Sequence, residues 1–157
     1  MGDYIKGIRQ KIGHEPIFCP GSGAIIYKNG KILLQKRADN GKWSIHDGAV
    51  ELGETYLQAL ERELKEEINI KPLQPRLMGI FSGKDFYFEY QNGDKIYDSL
   101  CVFLVEKWKG DLKKDNEEVI DLQWFDMKEL PKELDNSDEV IIKELEGFLE
   151  NKKVIVK

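Results

Sequence analysis

Apolar positions along the chain change their period several times, and each change marks a predicted element. Residues 23–37, GAIIYKNGKILLQKR, hold two β-rich runs on either side of Asn29-Gly30, the dipeptide that accepts positive φ at both corners of a tight hairpin turn. A loop carrying Asp39, Asn40, Gly41, Asp47, Gly48 and Gly53 follows. Over residues 56–68 the period becomes helical. Leu57, Leu60, Leu64 and Ile68 form one apolar stripe suited to docking on a sheet, and Thr55 with Gln58 three residues later gives a capping box. Past Pro72 and Pro75, the runs RLMGIFSG and DFYFEYQNGDKIYDSLCVFLVEKW return to strand, with Asn92-Gly93 as a further turn. VIDLQWF predicts one more strand, and Leu130-Pro131 precedes a last helix over about residues 138–149. Near the start, Ile5, Ile8 and Ile12 recur at helical spacing beside Lys6, Arg9 and Lys11, predicting a short amphipathic helix over about 3–13. The tail KKVIVK reads as a solvated end.

The chain of 157 residues has the length of one compact domain, with no repeat, linker or low-complexity tract. Its 34% charged residues are balanced by 41% hydrophobic ones, which places it among water-soluble globular proteins rather than disordered chains. A net charge of −5 argues against broad attraction to nucleic acid or an anionic membrane, so a phosphate-bearing ligand would need a metal or local cations. Cys19 and Cys101 lack any C-x-x-C spacing and read as small buried hydrophobes. No apolar run approaches a membrane span and the opening MGDYIKGIRQ has no signal-peptide core, so the expected location is cytoplasmic.

One feature of the 56–68 helix runs against its own electrostatics. Glu63, Glu66 and Glu67 project within an arc of roughly 100° beside the apolar stripe, close to the negative pole of the helix dipole. Like charges at i+3 and i+4 cost a few tenths of a kcal/mol each, and Arg62 and Lys65 do not cancel them all. A hard divalent cation such as Mg²⁺ or Mn²⁺, bound by carboxylate oxygens, would reverse the sign of these repulsions. Taken alone, the helix reads more readily as a solvated, glutamate-rich face.

The residues upstream decide between those readings. Gly48 is followed after five residues by Glu54, and after seven more by Arg62-Glu63-Leu64-Lys65-Glu66-Glu67. The stretch GAVELGETYLQALERELKEEINI therefore resembles the Nudix box, G-x5-E-x7-R-E-U-x-E-E-x-G-U with U apolar, at every fixed position except Asn69. Asparagine tolerates the left-handed helix cap that the family glycine serves. A second departure is His46-Asp47, in place of the proline and glycine often found there.

The resemblance implies an α/β fold, a Nudix-type α/β/α sandwich with a mixed central sheet, formed by a single domain over residues 1–157 with a short N-terminal helical extension. It implies metal-dependent hydrolysis of a diphosphate bond in a nucleoside diphosphate linked to another moiety, with Mg²⁺ or Mn²⁺ as cofactor. Glu63, Glu66 and Glu67 fall at the metal-ligand positions, and the backbone carbonyl of Asp47 at a further one. Arg62 is expected to orient a box carboxylate and Glu54 to support the site. Glu118 sits where relatives often supply an additional acid, with Glu117 as its neighbouring competitor.

Arg37, His46 and Tyr87 are candidate substrate contacts, Tyr87 because it lies seventeen residues beyond the box, a placement similar to that in dinucleoside-polyphosphate hydrolases. Trp43, Phe81 and Tyr97 are further candidates for stacking on a base. The implied partner is a small-molecule nucleotide or nucleotide derivative, neither membrane nor nucleic acid, and a homodimer is a common assembly for such domains. Two other readings share the fold: a catalytically impaired nucleotide-binding or regulatory module, and a diphosphate-using isomerase.

Overall fold

The computed structural model describes residues 3–115 and 117–157; Met1, Gly2 and Asn116, the last within the expected polar loop 109–118, lie outside the described residues. The elements run α1 (Asp3–Ile12), β1 (Ile17–Lys28), β2 (Lys31–Arg37), β3 (Trp43–Ser44), β4 (His46–Ala49), α2 (Tyr56–Ile68), β5 (Lys71–Pro72), β6 (Arg76–Phe81), β7 (Tyr87–Glu89), β8 (Lys95–Val105), β9 (Trp108–Lys109), β10 (Val119–Asp126), α3 (Asn136–Lys143), α4 (Leu145–Asn151) and β11 (Ile155–Val156). The main sheet has the order β10-β2-β1-β8-β6-β11. It is mixed: β1 and β8 are parallel, as are β6 and β11, while the hairpin β1-β2 and the pairs β10-β2 and β6-β8 are antiparallel.

Strand alternation divides the interior into two layers. Ala24, Ile26 and Leu33 face α2 through Leu60, Leu64 and Ile68, whereas Ile25, Ile32 and Leu34 face α3 and α4 through Ile141, Ile142, Leu145 and Phe148. Helices thus cover both faces of the sheet, which gives the α/β/α sandwich. The Asn29-Gly30 turn carries positive φ at both residues, 52° and 79°, as a tight hairpin turn demands.

Several expectations are corrected. Leu57 is 48% exposed and leaves the apolar stripe: the side chains that α2 buries begin at Ala59, and its first turn meets the sheet through the Tyr56 carbonyl, which accepts from the Ser22 hydroxyl at 2.8 Å. Of the N-terminal isoleucines, Ile5 is buried while Ile12 is exposed. The expected last helix is two helices, α3 and α4, interrupted at Glu144, whose amide donates to the carbonyls of Ile141 and Ile142. The tail is not simply solvated: Ile155 and Val156 pair with Gly79 and Ile80, and the Lys157 amide donates to the Ile80 carbonyl at 2.9 Å. The segment expected as loop around Trp43 to Ala49 contains two short strands.

That last correction positions the site. The long strand β1 gives its C-terminal end to β2 and its middle to β4, with Gly21 to Ala24 registered against Ala49 to His46. Residues 46–49 are thereby held in the sheet beside α2 instead of hanging in a loop.

Candidate active site

The helix α2 begins with the expected capping box, in which the Thr55 hydroxyl accepts from the Gln58 amide, and ends on Asn69 in the left-handed conformation, φ 60° and ψ 32°. Both ends being fixed, the register of Glu63, Glu66 and Glu67 is fixed too. Arg62 lies at the centre of their outer edge. Its guanidinium grips Glu54 through two bonds of 2.8 and 2.9 Å, reaches Glu63 at 2.6 Å and Glu66 at 3.4 Å, and donates to the Ala49 carbonyl at 2.9 Å. One cation thereby ties the box helix to β4 and to the Glu54 turn. The bidentate Arg62 contact holds the Glu54 carboxyl down at about 2.

Glu67 is placed differently. It is buried, and its carboxylate accepts from the Gln35 amide at 2.8 Å and lies 3.2 Å from Nδ1 of His46. Burial drives the His46 ring down to about 4, so the imidazole is neutral and its Nδ1 acts as a hydrogen-bonding group, not as a charge. Burial also pushes the Glu67 carboxyl up to about 8 against the Gln35 bond, with Glu118 and Glu66 adding repulsion. Glu63 is likewise raised to about 7 by burial, against the pull of Arg62. Asp47 is raised by burial and by Glu67, against the Arg37 guanidinium.

Gly48 touches this cluster through its backbone. A Cβ at that position would fall 2.1 Å from the Glu63 carboxyl, so glycine is what lets the β4 main chain approach the acids. The site combines all-oxygen donors, a backbone strand pressed against a carboxylate, and two acids held at raised affinity for protons. These features fit a hard divalent cation. Among the described residues, however, no three acidic or ligating side chains converge on one point, and one Arg62 nitrogen donates to both Glu63 and Glu66.

The three box glutamates open into a cavity of about 810 Å³ that is also lined by Arg37, Asp47, Glu117 and Glu118. The Ala38 amide donates to the Glu118 carbonyl, and the Asp115 amide donates to the Glu67 carbonyl at 2.7 Å, so Glu118 is tied to the segment just past β2 and Asp115 to α2. Arg37 pairs with Asp39 at 2.8 Å and approaches Asp47 at 3.7 Å. The structure therefore brings together Glu63, Glu66, Glu67, Arg62, Asp47, Arg37 and Glu118, with Glu54 behind Arg62.

Other candidates lie elsewhere. His46 is buried against Glu67 and lines no part of the cavity, so the expectation that it meets substrate gives way to one of holding Glu67. Tyr87 stacks on Tyr97 at 5.0 Å and donates to Glu89, away from the cavity, which is lined instead by Tyr90. Trp43 and Phe81 belong to the core on the α3 side. Gln35, Tyr90 and Asp98 are cavity residues that the sequence pattern did not single out. Gln35 lies in β2 and Asp98 in β8, while Tyr90 directly follows β7. Cys19 and Cys101 are free and buried, as expected.

A mixed sheet covered on both faces, with the box helix and the Gly48 strand closing on one acidic cleft, defines a Nudix fold. Residues 18–145 match the NUDIX domain family, and the chain belongs to it. It is similar to an ADP-ribose pyrophosphatase of Methanocaldococcus jannaschii, 36% identical over 69% of this chain and 62% of that protein. It is also similar to an NAD-capped RNA hydrolase, NudC, of Vibrio atlanticus, 32% identical over 75% of this chain and 41% of that protein. The chain thus spans less than two thirds of the length of either relative. Among solved structures, a MutT NUDIX hydrolase from Burkholderia pseudomallei superposes with a TM-score of 0.69 at 26% identity, over 81% of this chain and 97% of that one. No described helix is long and apolar enough to cross a membrane.

Proposed function

We propose that this chain is a divalent-metal-dependent pyrophosphohydrolase that splits the diphosphate linkage of a nucleoside diphosphate joined to a second moiety. The carrying observation is the cleft itself: Glu63, Glu66 and Glu67 open into the same cavity as the guanidinium of Arg37 and the carboxylate of Glu118. Glu63, Glu66 and Glu67, with the Asp47 backbone carbonyl, would hold Mg²⁺ or Mn²⁺. The ion, when bound, supplies charge to the phosphoryl oxygens and acidity to the attacking water.

The chain's own groups do the rest. Gln35 and His46 fix the Glu67 carboxylate, and Arg62, anchored by Glu54, sets Glu63. Arg37 receives the negative charge of the diphosphate at the opposite wall. Glu118 takes the proton of the water as its oxygen attacks phosphorus. The bridging P–O bond breaks, its electron pair leaves with the departing phosphate, and two monophosphate products result.

The printed name of the Methanocaldococcus relative makes ADP-ribose the first substrate to assay. The test measures released phosphate products from ADP-ribose, nucleoside triphosphates, nucleotide sugars and dinucleoside polyphosphates, with Mg²⁺, with Mn²⁺ and with EDTA, beside Glu67→Gln. Turnover that needs the metal and is lost in the variant is expected. Tight, metal-dependent binding without turnover of any of these would replace the enzyme with a nucleotide-binding module.

A further inference from the structure

The cavity does not end at the box. Its wall also includes Ile5, Cys19, Tyr90, Ile96, Asp98 and Leu100. Ile5, Cys19 and Ile96 are all buried and form one apolar cluster with Tyr90 packed against it. Ile5 comes from α1, outside the stretch 18–145 that matches the family. The helix is pinned there deliberately: Arg9 donates to the carbonyl of Lys95 at 2.7 Å and of Glu15 at 2.6 Å, and the Tyr4 amide reaches a Glu51 carboxylate oxygen at 3.4 Å. Thus α1 is fastened both to β8 and to the turn that leads into the box.

Asp98 is the anomaly of this wall. It lies opposite Cys19 in the parallel pairing of β1 with β8, beside a thiol, a weak donor, whose own hydrogen bond goes to the Pro20 carbonyl at 3.9 Å. A carboxylate accepts through two oxygens with about four lone-pair directions, and one thiol fills at most one of them, while the residue lines the cavity. Holding an acid among isoleucines and a leucine costs stability unless something donates to it. Burial and the neighbouring Asp47 accordingly push Asp98 up to about 7. The cavity wall is therefore of two kinds: around the box, acids ion-paired with Arg37 and Arg62, and beside them, within electrostatic reach of Arg37, the Asp98 carboxyl on an apolar wall with Tyr90. A phosphate would be drawn to the first through Arg37 and a bound cation, and the Asp98 carboxylate repels it from the second. The apolar stretch suits a flat, uncharged group whose edge carries N–H donors and whose faces lie against Tyr90 and the aliphatic wall.

We propose that Asp98, on a wall completed by Ile5 of α1, selects the non-reacting half of the substrate by accepting hydrogen bonds from an amino-bearing nucleobase. This deepens the reading of the protein as a nucleotide pyrophosphohydrolase and rests on it for the identity of the ligand class. Adenine, guanine and cytosine each offer an exocyclic amine, whereas uracil offers carbonyl acceptors that face a carboxylate unfavourably. Asp98 is a specificity-determining residue in this scheme, and α1 is part of the substrate site.

The experiment is calorimetric binding of AMP, GMP, CMP and UMP to the full chain with Mg²⁺ present, alongside hydrolysis of the matching nucleoside-diphosphate substrates. The wild type is expected to bind at least one amino-bearing monophosphate about ten-fold more tightly than UMP, the scale of one lost base-edge contact. Asp98→Asn, an isosteric change, is expected to collapse that margin, with Asp98→Ser as a second variant giving the same loss. Ile5→Ala is expected to weaken all four ligands several-fold while leaving their order unchanged. An unchanged ranking in both Asp98 variants overturns the proposal even if metal-dependent turnover persists. A ranking that collapses in those variants supports it, and if no substrate is turned over in the same samples, only the hydrolase reading falls.

Discussion

Each face of the sheet buries one helical carboxylate, and the two are held from adjacent residues of the same segment. On the α2 side, Glu67 lies against His46. On the α3 side, Asp138 accepts from the backbone amide of Ile45 at 3.0 Å. Both acids are buried, and burial raises the proton affinity of both. Their surroundings differ. Asp138 is wired to a main-chain amide inside the core, whereas Glu67 is held by two side chains and opens into a cavity with Glu63, Glu66 and Glu118. A buried acid with a raised pKa is therefore not evidence of chemistry by itself. What counts is whether its free valence faces a space that a ligand can enter.

That contrast can be broken most directly at the two acids. Glu67→Gln is expected to lower hydrolysis by about 10³-fold, the scale of losing a charge-stabilising group. Thermal unfolding of the metal-free variant shows equal stability below pH 4.5 and greater stability as pH rises from there to about 8, because the folded wild type holds a Glu67 proton that the unfolded chain releases. Asp138→Ala is expected to do the reverse, destabilising by about 1–3 kcal/mol through the orphaned Ile45 amide while metal affinity per folded molecule is retained. Paired unfolding and activity curves check both; an Asp138→Ala protein that is fully stable but inactive would erase the distinction.

The next effect concerns the backbone approach. Gly48→Ala is expected to displace the Glu63 carboxyl, because the added Cβ would sit 2.1 Å from it. The obstacle is the end of a flexible side chain, so turnover falls by about 10²-fold with a change in stability below about 1 kcal/mol. Steady-state kinetics beside a melting curve separates the two quantities. His46→Ala is smaller in its effect on the reaction: loss of a group that orients a ligand costs about 10- to 100-fold in metal affinity or activity, to be read by Mn²⁺ titration.

The smallest effect is in the pH profile. The Asp138 pKa is raised in the folded chain above its ordinary value of 3.8, so the native state binds that proton more tightly than the unfolded state. Its favourable contribution is fully present below pH 3.8 and is lost as pH rises through the folded value. Asp138→Asn keeps an acceptor for Ile45 and removes the titration. Its stability is expected to fall less steeply with rising pH than that of the wild type, by at most about 1.4 kcal/mol per pH unit for one proton. Denaturant midpoints across a pH series give the two slopes, and identical slopes would contradict the assignment. Glu54 shows the opposite sign: its pKa is lowered from 4.5 to about 2 by Arg62, so that pair stabilises above pH 4.5 and is lost only as pH falls toward 2.

Local chemistry wrote a large part of this molecule into its sequence. The Asn29-Gly30 turn, the Thr55 and Gln58 cap, the left-handed Asn69 and the arc of Glu63, Glu66 and Glu67 each depend on residues within a few positions of one another, where backbone sterics and helical period act without knowledge of the fold. The box spacing then carried the family and the fold class. Tertiary structure decided everything that needed a distant partner. It exposed Leu57, broke the last helix at Glu144, turned Tyr87 outward while Tyr90 entered the cavity, buried His46 against Glu67, and brought Ile5 and Asp98 to one wall. Residues 46 and 67 meet, and residues 5 and 98 line one cavity, only because β1 divides its edge between β2 and β4 and lies parallel to β8. Contacts across such separations are set by sheet register and burial summed over the whole core, and no short-range pattern in a single sequence records that sum.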